Sequence, residues 1–143
     1  MTKNNSINNT VYLDANVFIY AVTRHPKYSA NATSVIAAIR SGKLRAVTCA
    51  LTFDEVLWIL SNEFSRDAAV RTCNSFMNML SLQIISADSQ VIRGALEVYK
   101  ESNLRPRDAI HFAVMQSIGV SEIITADADF KKHGMIDLAK FKP

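Results

Sequence analysis

Short apolar runs alternate along the chain with longer stretches in which apolar side chains recur every three or four positions. The short runs are Thr10–Leu13 (TVYL), 44–48 (LRAVT), Leu82–Ile85 (LQII) and 122–125 (EIIT), which read as β-strands. Between them the spacing is helical. Ala32, Val35, Ile36 and Ile39 share one face, and Gly42 follows as a stop signal. Val56, Ile59, Leu60 and Glu63 continue a helix opened near Thr52. Ala69, Cys73, Phe76, Met77 and Leu80 form one stripe, and Ile92, Ala95, Leu96 and Tyr99 form another. Ile110, Ala113, Val114 and Ser117 lie between Pro106, a good first-turn residue, and Gly119. Strands separated by helices need crossover connections, so the expected fold is α/β, a three-layer α/β/α sandwich around a central, mainly parallel sheet.

The 143 residues suit one domain, and 49% are apolar, enough for a core without staples. Residues 1–9 are polar and read as a loose tail, leaving 10–143 as a single domain. No apolar run approaches the roughly 20 residues that span a bilayer, and no signal region opens the chain. Cys49 and Cys73 form no metal or redox pattern and read as buried free thiols in a reducing cytoplasm. The net charge of +3 and pI of about 9.0 are compatible with a polyanionic partner.

The positions of the acids change the picture more than their number. Asp14 directly follows the first strand (YLDANVFIY) and Glu55 follows the second (TCALTFDEV). Asp108 opens a helix (RPRDAIHFA), and Asp127 and Asp129 follow the last strand (IITADADF). In a doubly wound sheet, sites form beyond the carboxyl ends of the strands. Each acid also has a purely local explanation. Thr52 and Glu55 have capping-box spacing, Asp108 suits a helix first turn, and Asp14, Asp127 or Asp129 could cap a helical start. Together, however, four segments bring carboxylates to one rim, where they repel and raise one another's pKa. A hard divalent cation with oxygen ligands relieves this; Mg²⁺ suits few carboxylates plus a phosphate, and Mn²⁺ can substitute. No histidine pair has zinc spacing.

Arg105 and Arg107 flank Pro106 at the same helix start. Cations there oppose the helix dipole, so they are candidates for binding a substrate anion, as alternatives to plain surface arginines. Arg24, Lys27, Lys131 and Lys132 are weaker candidates. His111, three residues after Asp108, reads first as a packing histidine and second as a hydrogen-bond partner of a carboxylate in the pocket, and Tyr12, Phe18, Tyr20 and Trp58 read as core.

The blocks LDANVFIY, TFDEV, RPRDAIHFA and ITADADF, in this order and spacing, resemble the signature blocks of PIN-domain ribonucleases. The resemblance runs from about Val11 to Phe130, and the small size is similar to the VapC-type toxins of prokaryotic toxin–antitoxin pairs. It implies a Mg²⁺-dependent endoribonuclease whose acidic quartet is Asp14, Glu55, Asp108 and Asp127, with Asp129 as a further acid beside the metal. It also implies that Asn16 and Thr125 support the carboxylates by hydrogen bonding, and that the partners are RNA, a cognate antitoxin and a second copy of the chain. The stripe around Phe76, Met77 and Met79 is a candidate dimer surface, with core, the commoner place of a Met-rich stripe, as the alternative. A non-catalytic RNA- or protein-binding module on the same scaffold, or a housekeeping RNA-processing nuclease, are the alternative readings. A phosphatase of the haloacid dehalogenase type would want an acid two residues after Asp14, where Asn16 stands, and a receiver domain an acid pair near the first strand.

Overall fold

The computed structural model describes residues 10–143; the expected tail over residues 1–9 lies outside the described residues. The elements run β1 (Thr10–Leu13), α1 (Ala15–Val22), α2 (Ser29–Arg40), β2 (Arg45–Cys49), α3 (Ala50–Glu63), α4 (Arg66–Met77), β3 (Leu82–Ile85), α5 (Ser89–Glu101), α6 (Pro106–Ile118), β4 (Ile123–Thr125) and β5 (Met135–Asp137). A single 3₁₀ turn, Ala128–Phe130, lies between β4 and β5. The strands form one sheet in the order β3-β2-β1-β4-β5, and every neighbouring pair is parallel.

Side chains of β1 alternate between the two faces, as strand geometry requires. Val11 and Leu13 enter a core built with α1–α4, where Phe18, Ile39, Leu60 and Phe76 meet. Tyr12 enters the opposite core with Val114, Met115, Ile123 and Phe130. Burial on both faces explains why the central strands are almost wholly apolar. From β1 the chain moves to β2 and β3 on one side, then crosses to β4 and β5 on the other. The sheet therefore has its switch point between β1 and β4, and the crevice beyond their carboxyl ends is where a ligand site is expected. Among the described residues no helix is long and apolar enough to cross a membrane.

Several local expectations need correction. Helix α3 begins at Ala50, with Cys49 as its N-cap and the Cys49 Sγ accepting from the Leu51 N–H at 3.4 Å. Thr52 is inside the helix and bonds the Thr48 hydroxyl at 2.8 Å, so no capping box joins it to Glu55. Helix α4 stops at Met77, and Leu80 lies beyond it with its side chain fully exposed. Phe76 and Met79 are buried core residues and offer no dimer surface; of that stripe only Met77 is half-exposed. Trp58 is not core: it is 68% exposed, because it sits about 200° around α3 from the buried Val56 and Leu60 faces. Strand β5, three half-buried residues, was not anticipated. Cys49 and Cys73 are free and buried, as expected.

Gly134 turns the chain into β5 with φ 80°, and a Cβ there would lie 1.9 Å from the Ser121 carbonyl oxygen. Gly134→Ala is expected to cost about 2 kcal/mol or more, from left-handed strain plus the clash with backbone. A denaturant midpoint unchanged from the parent would refute this.

Candidate metal and phosphate site

Asp14 directly follows β1 and caps α1, its Oδ1 accepting from the Ala15 N–H at 2.7 Å. Its other oxygen accepts from the Thr125 hydroxyl at 2.7 Å and the Asn16 amide at 3.3 Å. Thr125 ends β4, and its hydroxyl accepts in turn from the Asn16 amide (3.1 Å) and the Asp127 N–H (2.9 Å). The Asn16 carbonyl closes the circuit by accepting from the Ala126 N–H at 3.2 Å. The ends of the two central strands are thus stitched together by the residues expected to support the acids. Asp14 is 6% exposed and Thr125 fully buried, so this carboxylate is tolerated only because three donors hold it.

Asp127 caps the 3₁₀ turn by accepting from the Asp129 N–H at 2.9 Å, which sets both acids on one short segment. Asp108 stands in the first turn of α6, where Pro106 opens the helix. Carboxylate oxygens of Asp108, Asp127 and Asp129 lie within 4.8 Å of one another. Asp14, Asn16, Glu55, Asp108 and Asp127 line one open cavity of about 460 Å³ together with Arg105, Pro106, Arg107 and His111. Glu55 reaches it from the second turn of α3, freed of any capping partner. Asp129 completes the close triplet at the rim, without lining the cavity itself.

The electrostatics follow from this crowding. Burial, then the charges of Asp14, Asp127 and Asp129, push the Asp108 carboxyl up to about 7, against a smaller pull from Arg105. Glu55 is raised by burial and by Asp14, with Arg107 acting the other way. Carboxylates arranged so that some resist ionising are poorly satisfied by protein alone. The donor set is all oxygen, with no thiol or imidazole in the close triplet, which fits a hard cation such as Mg²⁺ or Mn²⁺.

Arg105 and Arg107 stand at the cavity's edge. Arg105 pairs with Asp129 at 3.5 Å and Arg107 with Asp54 at 3.7 Å; all four side chains are well exposed. Such pairs are weak enough to be exchanged for a phosphate. The sequence pattern does not single out Asp54; its place beside Glu55 is the available signal. The other candidate cations lie elsewhere. Arg24 lines a separate groove with Ile19, Tyr20, His25, Ile59 and Phe64. Lys27 lies 5.4 Å from the Tyr28 ring centroid, and Lys131 and Lys132 are exposed after the 3₁₀ turn.

His111 is buried, and its Nδ1 meets the Tyr12 hydroxyl at 2.6 Å, which fits the packing role expected of it. It also lines the acidic cavity. Burial pushes the His111 imidazole down and the Tyr12 phenol up, so both favour their neutral forms. Tyr12 and Phe18 are core as expected, while Tyr20 is half-buried in a stack with Tyr28.

Thr125→Val keeps the strand's shape but removes one donor to Asp14 and the acceptor for Asn16 and Asp127. Divalent-metal affinity is expected to fall about 10- to 100-fold, the usual loss when a ligand's hydrogen-bond partner is removed. Titration calorimetry with Mn²⁺ measures it directly.

No curated protein sequence matches the chain significantly. Among solved structures, a toxin–antitoxin complex from Klebsiella pneumoniae shares 19% identity with a TM-score of 0.69, over 90% of this chain and 97% of that one. The sarcin-ricin loop cleaving toxin VapC20 of Mycobacterium tuberculosis shares 19% with a TM-score of 0.73, over 88% and 96%. DNA-bound VapBC from Salmonella typhimurium shares 16% with a TM-score of 0.67, over 90% and 98%. These likenesses establish a shared fold. The PIN domain family model matches residues 11–134, a span that contains every acid of the cavity, and this chain belongs to the PIN domain family.

Proposed function

We propose that this protein is a divalent-metal-dependent endoribonuclease, the toxin of a type II toxin–antitoxin pair acting in the cytoplasm. The observation that carries the reading is the meeting of carboxylates from four segments in one open cavity edged by two arginines. Asp14, Glu55, Asp108 and Asp127 are its catalytic acids, and with Asp129 they hold the metal directly or through water. Asn16 and Thr125 orient Asp14 and the Asp127 backbone.

Bound Mg²⁺ would supply a water of lowered pKa and offset charge building on the scissile phosphate. The chain's own groups do the rest. Arg105 and Arg107 exchange their exposed carboxylate partners for the substrate phosphate. A carboxylate not engaged with metal orients the attacking water and takes its proton. Water as the nucleophile leaves a 5′-phosphate and a 3′-hydroxyl.

The neighbours of known structure include complexes with antitoxins, some bound to DNA, and this supports an antitoxin as partner here. A second copy of the chain is the other expected partner. Exposed Leu57, Trp58 and Phe64 on and after α3, and Ile92, Leu96 and Tyr99 on α5, provide apolar surface for the two.

Purified protein incubated with labelled structured and unstructured RNAs in Mg²⁺, Mn²⁺ or EDTA tests the reading. Cleavage with either metal and none in EDTA is expected. Metal-independent cleavage, or RNA binding without any cleavage, would replace it with a different chemistry or a binding role. Substituting deoxyribose at the cleaved bond should leave cleavage intact; its loss would make the 2′-hydroxyl the nucleophile.

A further inference from the structure

The cavity holds one buried polar side chain that the mechanism above leaves unused. His111 is on α6, close to one turn beyond Asp108, and 2% of its surface is exposed. Its ring meets that of the fully buried Tyr12 edge to face, with centroids 5.6 Å apart and Nδ1 2.6 Å from the phenol oxygen. Among the described residues, no buried side-chain nitrogen or oxygen lacks a hydrogen-bond partner. Tyr12 bonds the ring at Nδ1; among the described residues Nε2 has no hydrogen-bond partner and is not a fully buried atom, which leaves it open to the cavity that His111 lines.

The phenol decides where the imidazole proton sits. If Nδ1 carried it, the Tyr12 hydroxyl would have to turn its proton away from this 2.6 Å contact, to the Thr48 oxygen, already engaged with the Leu13 carbonyl and the Thr52 hydroxyl, or to the weakly accepting Cys49 sulfur. With the phenol donating, Nδ1 is bare and the single proton is on Nε2. A bare Nε2 would moreover turn its lone pair toward a cavity walled by Asp14 and Asp108.

We propose that Tyr12 locks His111 as the neutral Nε2–H tautomer, and that this N–H is a fixed donor to a non-bridging oxygen of the bound phosphodiester. The phosphate contact rests on the nuclease reading; the tautomer lock does not. The design has a physical logic. The two arginines hold the phosphate from the exposed edge, whereas the interior is lined mainly by carboxylates. A further cation inside would compete with the metal for those carboxylates, but a neutral donor adds a phosphate contact without doing so. His111 is thus more than a packing residue.

Long-range ¹H–¹⁵N NMR of labelled protein, free of metal and RNA, reads the tautomer directly. A pyrrole-like Nε2 and a pyridine-like Nδ1 are expected at His111; an Nδ1–H tautomer or an imidazolium overturns the lock. Tyr12→Phe keeps the ring and removes the hydroxyl, and should give a tautomer mixture; an unchanged single tautomer overturns the role of Tyr12. In the unsubstituted protein, a dinucleotide phosphodiester added with Mg²⁺ should shift the His111 Hε2 resonance beyond any change from Mg²⁺ alone. No further shift overturns the phosphate contact. In cleavage, His111→Gln, whose amide can reach the Nε2 position, should retain about tenfold more activity than His111→Leu, a difference of the size seen for supporting contacts. Equal loss in two folded variants overturns the donor role. If no RNA is cut by any form while the tautomer is as expected, the nuclease reading fails and the Tyr12 lock stands.

Discussion

Asp14→Asn is expected to lower RNA cleavage by about 100-fold or more, exceeding the upper end of the loss from removing a mere supporting contact. Asp14 is the most buried acid of the cavity, and the end of β4 is tied to it through Thr125. The substitution removes its charge but keeps an oxygen for the Ala15 N–H, and asparagine caps helices as well as aspartate does. The cost to folding comes at Thr125, whose hydroxyl loses its acceptor and meets a new amide while already accepting from Asn16 and Asp127. One such bond is worth about 1 kcal/mol, so the variant should fold with a modestly lower Tm. Cleavage rates in Mg²⁺ beside thermal unfolding of the same samples separate the two effects. Substantial activity in folded Asp14→Asn would remove Asp14 from the metal site and with it the mechanism proposed above.

The second large effect concerns Asp108 and pH. Its carboxyl is raised from 3.8 to about 7 in the folded chain, so the metal-free folded state binds a proton there more tightly than the unfolded chain does. That contribution to stability is fully present below about pH 4 and is lost as pH rises through about 7. Metal-free protein is therefore expected to lose stability from this group between these limits, and Mg²⁺ to restore it at pH 8. Asp108→Asn should raise the metal-free Tm at pH 8 and abolish most of the gain from Mg²⁺. Because the side chain is only half-buried, water screens the effect to the order of 1 kcal/mol, or a few degrees in a domain of this size. Cleavage should show the same group: at limiting Mg²⁺ the rate falls below about pH 7, and the apparent pKa moves down as Mg²⁺ is raised, because metal and proton compete. A metal-free Tm of Asp108→Asn at or below the parent's at pH 8 would show that the carboxylates do not repel as their placement requires.

Four of the five strands were legible from local pattern, since each is a short apolar run between polar boundaries. Strand β5 was not: Met135, Ile136 and Asp137 are only half-buried at the sheet's edge, too short a run to show alternation. The helix starts were read well where a cap or proline marked them, as at Asp14 and Pro106, and less well at α3, where a cysteine caps and the threonine is used against Thr48. The failure at Trp58 has a similar cause. Neighbouring residues on α3 are all apolar, so composition could not distinguish the face turned to the core from the face turned to water.

Sequence by itself determined the alternation of strands and helices, hence the parallel sheet, because the two periods differ and each dictates its own element. It also determined which acids follow strands or open helices, and so which of them a doubly wound sheet would carry to one rim. Tertiary structure decided what those acids do to one another. Only the pairing of β1 with β4 joins Thr125 to Asp14, residues 111 apart in the chain, and only the packing of α6 beside them raises Asp108 and places His111 against Tyr12. Burial and Coulomb energy depend on distances of a few ångströms between remote segments, and no local pattern contains them.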